Sequence, residues 1–119
     1  MNYKTAIVEF NWLRDHNHGW GNGYVIIPKQ HPFYGIDYMI LNNYVNVHGG
    51  LTYSEFCDGK NIHRFKLEPD DIGKWIIGFD TAHSSDTYEK WHKGAVQAET
   101  DMLLSQVISC VGMLKENVT

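Results

Sequence analysis

Basic residues are scarce in this 119-residue chain: eight Lys and two Arg stand against fourteen Asp and Glu, for a net charge of −4. A protein that neutralises many phosphates of a duplex needs a concentrated basic face, and these lysines are scattered. Non-specific binding of duplex nucleic acid is therefore excluded, while a small anionic ligand is not. Cysteine is nearly absent as well. Cys57 and Cys110 stand far apart, in neither a C-x-x-C nor a metal-ligand spacing, so neither a disulfide framework nor a zinc knuckle is expected. A reducing, cytoplasmic setting follows. No run approaches the ~20 apolar residues of a membrane span, and the opening MNYKTAIVEFNW lacks the apolar segment of a signal peptide. No membrane association is expected.

What the chain has instead is rings. Four Trp, seven Tyr and five Phe accompany seven His, on a polar background of mean hydropathy −0.38. The length fits a single domain over residues 1–119, whose core needs no metal or disulfide staple to be viable.

Residues 5–10 (TAIVEF) and 23–27 (GYVII) are short, β-branched and aromatic, and read as strands, the second stopped by Pro28. Between them, residues 15–23 carry Gly19, Gly21 and Gly23 with His16, His18 and Trp20, and read as a loop open to close approach. Residues 44–48 and 51–56 flank Gly49-Gly50 as two β-type runs, which suggests a hairpin or a bulged bend. His63-Arg64-Phe65 reads as an edge strand, and residues 74–80 (KWIIGFD) as the central one. From Gly94 the period turns helical: Val96, Glu99, Leu103, Val107, Cys110 and Leu114 form one stripe. The expected class is α+β, an antiparallel sheet of about five strands covered by one long C-terminal helix.

Four features could carry chemistry. In His48-Gly49-Gly50-Leu51-Thr52-Tyr53-Ser54, two glycines expose backbone amides, and imidazole and hydroxyl groups surround them, a set of donors for phosphate or carboxylate oxygens. Strand alternation would put Thr52 and Ser54 on one face, Leu51 and Tyr53 on the other. The same stretch also reads as a simple β-bulge with partly buried rings. Asp80, His83 and Asp86 recur every three residues beyond the central strand, either as turn-forming or ligand-binding groups or, with His48, as a site for Mn, Zn or Fe. Asp86 with Glu89 also has the spacing of a helix cap. His31-Pro32-Phe33-Tyr34-Gly35, with Tyr24, offers rings for stacking on a base, or a plug for the core. Glu99, a carboxylate on a core-facing stripe, must be paired or belong to a site, unless it turns to solvent. Arg14 and Arg64 are the only guanidiniums, and Arg64 is the better placed for a phosphate. No G-x-S-x-G elbow, G-x-G-x-x-G or Walker loop is present.

In order along the chain, Gly23-Tyr24-Val25, Pro28, His31-Pro32-x-Tyr34-Gly35, HGGLTYS at 48–54, Trp75-x-x-Gly78-Phe79-Asp80-x-Ala82-His83-x-x-Asp86 and Glu99 resemble a widespread family of small phage proteins, over roughly residues 20 to 110. Those proteins are in turn similar to anti-CBASS sponges, which bind cyclic dinucleotide or cyclic ADP-ribose-type immune signals. The resemblance implies a cytoplasmic protein of the infected bacterial cell, a homo-oligomer, that sequesters a signal such as 3′,3′-cGAMP without turnover and without a cofactor. Its ligand-binding residues would be Tyr24, His31, Phe33, Tyr34, His48, Gly49, Gly50, Thr52, Ser54, Arg64, Asp80, His83 and Glu99. The alternative is a hydrolase of a cyclic nucleotide or related phosphodiester, with His48, Asp80, His83 and Asp86 holding a metal or acting as general acid and base. A third reading is an inhibitor that binds a host protein through a flat aromatic face.

Overall fold

A computed structural model of the chain describes residues 1–11 and 18–118, with side chains as far as Gly112. The expected loop residues Asp15 and His16, Arg14, and the Leu114 side chain fall outside that description. Four strands form one antiparallel sheet in the order β1-β2-β4-β3: β1 (Lys4–Glu9), β2 (Gly21–Ile27), β3 (Tyr53–Phe56) and β4 (Trp75–Phe79). A short α1 (Tyr38–Leu41) and α2 (Asn61–Arg64), with a 3-10 turn at Pro69–Asp71, lie in the connections, and α3 (Lys93–Val118) closes the chain. Among the described residues, no helix is long and apolar enough to cross a membrane.

The two inner strands carry the apolar runs because both of their faces are covered. Val25, Ile27, Ile77 and Phe79 point to one side, where Val96, Leu103, Val107 and Cys110 of α3 bury against them. Tyr24, Ile26 and Ile76 point to the other side and pack on Cys57 and Phe65. Each fully buried aliphatic chain contributes about 2 kcal/mol relative to exposure. The α3 stripe is therefore the one read from its periodicity, with Thr100 buried in line and donating its hydroxyl to Val96 O at 2.7 Å.

Several local expectations change. The strand expected from Gly23 begins at Gly21, which thus belongs to β2 rather than to a loop, and at Gly23 a side chain of α3 comes close. A Cβ there would fall inside the contact distance of Thr100 Oγ1 and the Phe79 ring. Residues 44–48 form no strand: Val45 and Val47 alternate because they bury against α3, not because they pair in a sheet. Gly49-Gly50 is accordingly not a hairpin, and the strand after it begins only at Tyr53. Leu51 and Tyr53 consequently join opposite cores instead of sharing a face. His63-Arg64-Phe65 is helical or helix-capping, since Asp58 Oδ1 accepts from Lys60 N and Asn61 N and starts a helix turn. Asp86 caps no helix, because α3 begins at Lys93.

One buried carboxylate fastens the outer strand β1. Asp71, 1% exposed, takes Lys4 Nζ at 2.6 Å, Lys74 Nζ at 2.8 Å and Glu68 N at 2.9 Å. Burial alone would raise its pKa, but the three donors outweigh it and hold the carboxyl at about 2.

Because the folded pKa lies below the ordinary value, the stabilisation is full above about pH 4 and fades as pH falls toward 2. Asp71→Asn is expected to cost about 1–3 kcal/mol in urea denaturation at pH 7, and the gap from the parent protein should close at pH 2. Gly23→Ala should lower stability by about 1–3 kcal/mol by forcing α3 off β2, measured as a lower urea midpoint with unchanged slope.

Candidate functional site

The segment that fails to be a hairpin is instead a tight, clamped turn. Gly49 and Gly50 adopt φ of 69° and 79°, a region costly for any residue with a Cβ, and Gly50 N donates to Val47 O at 2.8 Å. Buried Val47 anchors its start. Asn42 clamps its end through both amide atoms, accepting from Leu51 N at 2.7 Å and donating to Leu51 O at 3.1 Å. A second anchor, a carboxylate, comes from α3: Glu99 Oε2 accepts the His48 backbone N–H at 2.8 Å. The core-stripe carboxylate thus spends itself on fixing the backbone of His48.

Across from this turn lies the loop that leaves β4. Asp80 Oδ1 accepts from Ala82 N at 3.0 Å and bends the chain. Asp86 then folds back on His83: its Oδ2 accepts both the His83 amide at 2.9 Å and the His83 ring Nδ1–H at 2.8 Å, while its own N–H donates to His83 O at 2.9 Å. The other oxygen, Oδ1, accepts His48 Nε2–H at 2.7 Å. One carboxylate, itself 1% exposed, therefore holds two imidazoles, that of His83 from its own loop and that of His48 from 38 positions away along the chain. Those rings meet edge to face at 5.3 Å, and Trp91 packs over His48 at 4.1 Å.

Burial by itself would raise the Asp86 pKa, yet the donors from His83 and His48 prevail and the carboxyl stays below its ordinary value. An ionised Asp86 is acceptor-only, so the ring atoms that touch it carry the protons. In the neutral rings this leaves lone pairs on His48 Nδ1 and His83 Nε2. The second of these lies 3.5 Å from Asp80 Oδ1. Both rings remain partly open to solvent, with side chains 25% and 34% exposed. Gly49 is required for the closeness, because a Cβ there would run into the His83 ring.

The expected ligand-binding residues divide by place. His48, Gly49, Asp80, His83 and Glu99 come together, and Asp86, read from the sequence as a metal-ligand or capping candidate, is the residue that joins them. Gly50 completes the turn. Thr52 is exposed beside it and donates its N–H to Gly78 O, while Ser54 Oγ accepts from Tyr38 N at 3.1 Å. His31 and Phe33 lie in the core, 2% and 0% exposed. His31 Nδ1 accepts from Phe33 N, and its Nε2–H donates to Val107 O. Tyr34 donates its hydroxyl to Gly73 O at 2.6 Å. Tyr24 is 2% exposed on the opposite sheet face, where Arg64 donates to its hydroxyl at 2.8 Å and stacks near Tyr53 and Phe65. Trp91, which packs over His48, has no signal in its spacing that would place it there.

Arg64 also borders a groove of about 610 Å³ along β1, with Trp20, Phe65, Lys66, Lys93 and Gln97 around it. Lys93 Nζ lies 5.8 Å from the Trp20 ring centre. Neither thiol joins these sites: Cys57 and Cys110 are buried in the two separate cores. The chain matches no protein-family model, no curated protein and no solved structure.

Proposed function

We propose that the protein is a hydrolase of a cyclic nucleotide or a related phosphodiester, with its chemistry at the His48–His83–Asp86 centre. The observation that supports this reading is the pairing of two partly exposed imidazoles on one buried carboxylate. Imidazoles so fixed keep their outward nitrogens in one orientation, which is what proton transfer to and from an attacking water or a leaving oxygen requires. Asp86 takes no proton itself. It fixes the tautomers and compensates charge that develops on the rings, the role of the carboxylate in a carboxylate–imidazole pair. Both rings are partly exposed, and their solvent-facing sides are where a phosphate would arrive. The substrate class comes from the resemblance of the HGGLTYS and GFDxAHxxD elements to phage proteins that counter cyclic-nucleotide immunity.

Sequestration without turnover is the second reading, favoured by the β1 groove. Its volume lies within the range of small-molecule sites, and it gathers Arg64, Lys66 and Lys93 in a chain of net charge −4, with Trp20 for a base to stack on. A homo-oligomer could complete such a groove with a second copy.

Incubation of the full chain with 3′,3′-cGAMP and other cyclic dinucleotides, followed by heat denaturation and chromatography, separates the readings. Hydrolysis predicts linear or mononucleotide product, lost by about 100-fold or more in His83→Ala. Recovery of intact nucleotide in stoichiometric amount, reduced in Arg64→Ala but not in His83→Ala, would replace hydrolysis by sequestration. Neither product nor retained nucleotide would refute both.

A further inference from the structure

Three carboxylates surround two imidazoles at the centre: Asp86 between the rings, Asp80 beside His83, and Glu99 at the His48 backbone. A phosphodiester is an anion, and at contact distances the repulsion between like charges is worth ~1 kcal/mol even in water and more at a partly buried site. Such a centre is well suited to a cation, and a cation bound there would offset the repulsion that a phosphodiester meets. The donor atoms are also of the right kind and number. One nitrogen from His48, one from His83 and one Asp86 oxygen all lie within 4.8 Å of one another.

We propose that His48, His83 and Asp86 bind a single first-row divalent metal ion, Zn²⁺ serving as the probe, through His48 Nε2, His83 Nδ1 and one Asp86 oxygen. Two imidazoles and a carboxylate are a common three-residue set for catalytic metals, which leaves further coordination positions for water and substrate. Ligand atoms bonded at ~2.0–2.1 Å stand about 3 Å apart around such an ion. The present nitrogen–oxygen separations of 2.7 and 2.8 Å are hydrogen bonds to the two different oxygens of Asp86, so ion entry requires the three ligand atoms, now within 4.8 Å of one another, to regroup around one carboxylate oxygen.

The proton bookkeeping of ion entry closes within the rings. Each neutral imidazole now carries its proton on the nitrogen that faces Asp86. Ion binding to that nitrogen moves the proton to the opposite one, with no net release. For His83 the new N–H is Nε2, and Asp80 Oδ1 already stands 3.5 Å away to receive it. Metal-bound imidazoles characteristically donate their remote N–H to a carboxylate, which fixes ring orientation and raises ligand basicity. Asp80 is therefore a positioning residue and not a ligand. Glu99 and Trp91 serve the same end at His48, one holding the backbone and the other the ring face. The ion's binding stands on this geometry alone, whereas its task of activating water for phosphodiester cleavage rests on the hydrolase reading.

The test uses the full chain, stripped with EDTA and then titrated with Zn²⁺ alone by calorimetry, with elemental analysis after gel filtration. One ion per chain is expected. His48→Ala and His83→Ala should each weaken binding by about 10-fold or more, and Asp80→Asn by roughly 10-fold with the stoichiometry kept. Co²⁺ in place of zinc should give d–d absorption that shifts in Asp80→Asn, a readout that loss of fold would abolish rather than shift. Circular dichroism checks each variant. Asp86→Asn is the variant most exposed to misfolding, so the partly exposed His48 carries the test if it fails. Absence of stoichiometric zinc, or equal binding by the His48→Ala/His83→Ala double variant, overturns the proposal. EDTA-insensitive hydrolysis by a zinc-free protein overturns it while leaving the hydrolase reading in place. Bound zinc without any hydrolysis does the reverse.

Discussion

The packing of α3 across β2 and β1 is the contact on which the rest of the molecule depends. It seals one face of a four-stranded sheet whose inner strands are apolar on both sides, and at Gly23 the space a side chain would need is taken by Thr100 Oγ1 and the Phe79 ring. The same helix carries Glu99 to the His48 turn and Gln106 to Asn46, where its side chain accepts from Asn46 N and donates to Asn46 O. A single amphipathic element thereby performs two tasks. Its apolar stripe closes the core, and its polar border pins a loop that has no sheet pairing of its own.

At the far end of β4 the organising group is smaller. Asp86 is nearly inaccessible, yet it is fully provided with donors, and this is the condition under which a buried charge is tolerated. The reciprocal bonds with the His83 backbone are local and shape the loop, whereas the bond to His48 is long-range. Asp71 plays the corresponding part at the other side of the sheet, where two lysines from different segments converge on one carboxylate. Both carboxylates join parts of the chain that the backbone ladder leaves separate.

The elements most legible in the sequence were those whose burial follows a simple period. The α3 stripe, β1, β2 and β4 are of this kind, because an apolar residue every three or four positions, or an unbroken β-branched run, has few other ways to be buried. Residues 44–48 show where the rule fails. Val45 and Val47 alternate as strand residues do, but their partner is a helix, and alternation alone does not say what lies opposite. His63–Phe65 fails differently, since the Asp58 side chain starts a helix turn that overrides the strand-like composition. At the site, the His48, Asp80, His83 and Glu99 assembly was visible as residue types and spacings. The burial of Tyr24, His31 and Phe33 was not, because a ring's usefulness for stacking depends on solvent access, which the surrounding fold alone determines.

The bond between Glu99 and the His48 amide has a dynamic consequence. A glycine-rich turn would ordinarily open and close by itself, on the scale of a surface loop. Here the His48 amide hydrogen is held by a residue 51 positions away, which adjoins the buried Thr100 and stands one helical turn from the buried Leu103. Release of the proton to solvent therefore requires either rupture of that one contact or lifting of the helix start from the sheet. The His48 amide is tied to α3 by this bond, so its rate of exchange should report on the seating of α3 and not on the glycines.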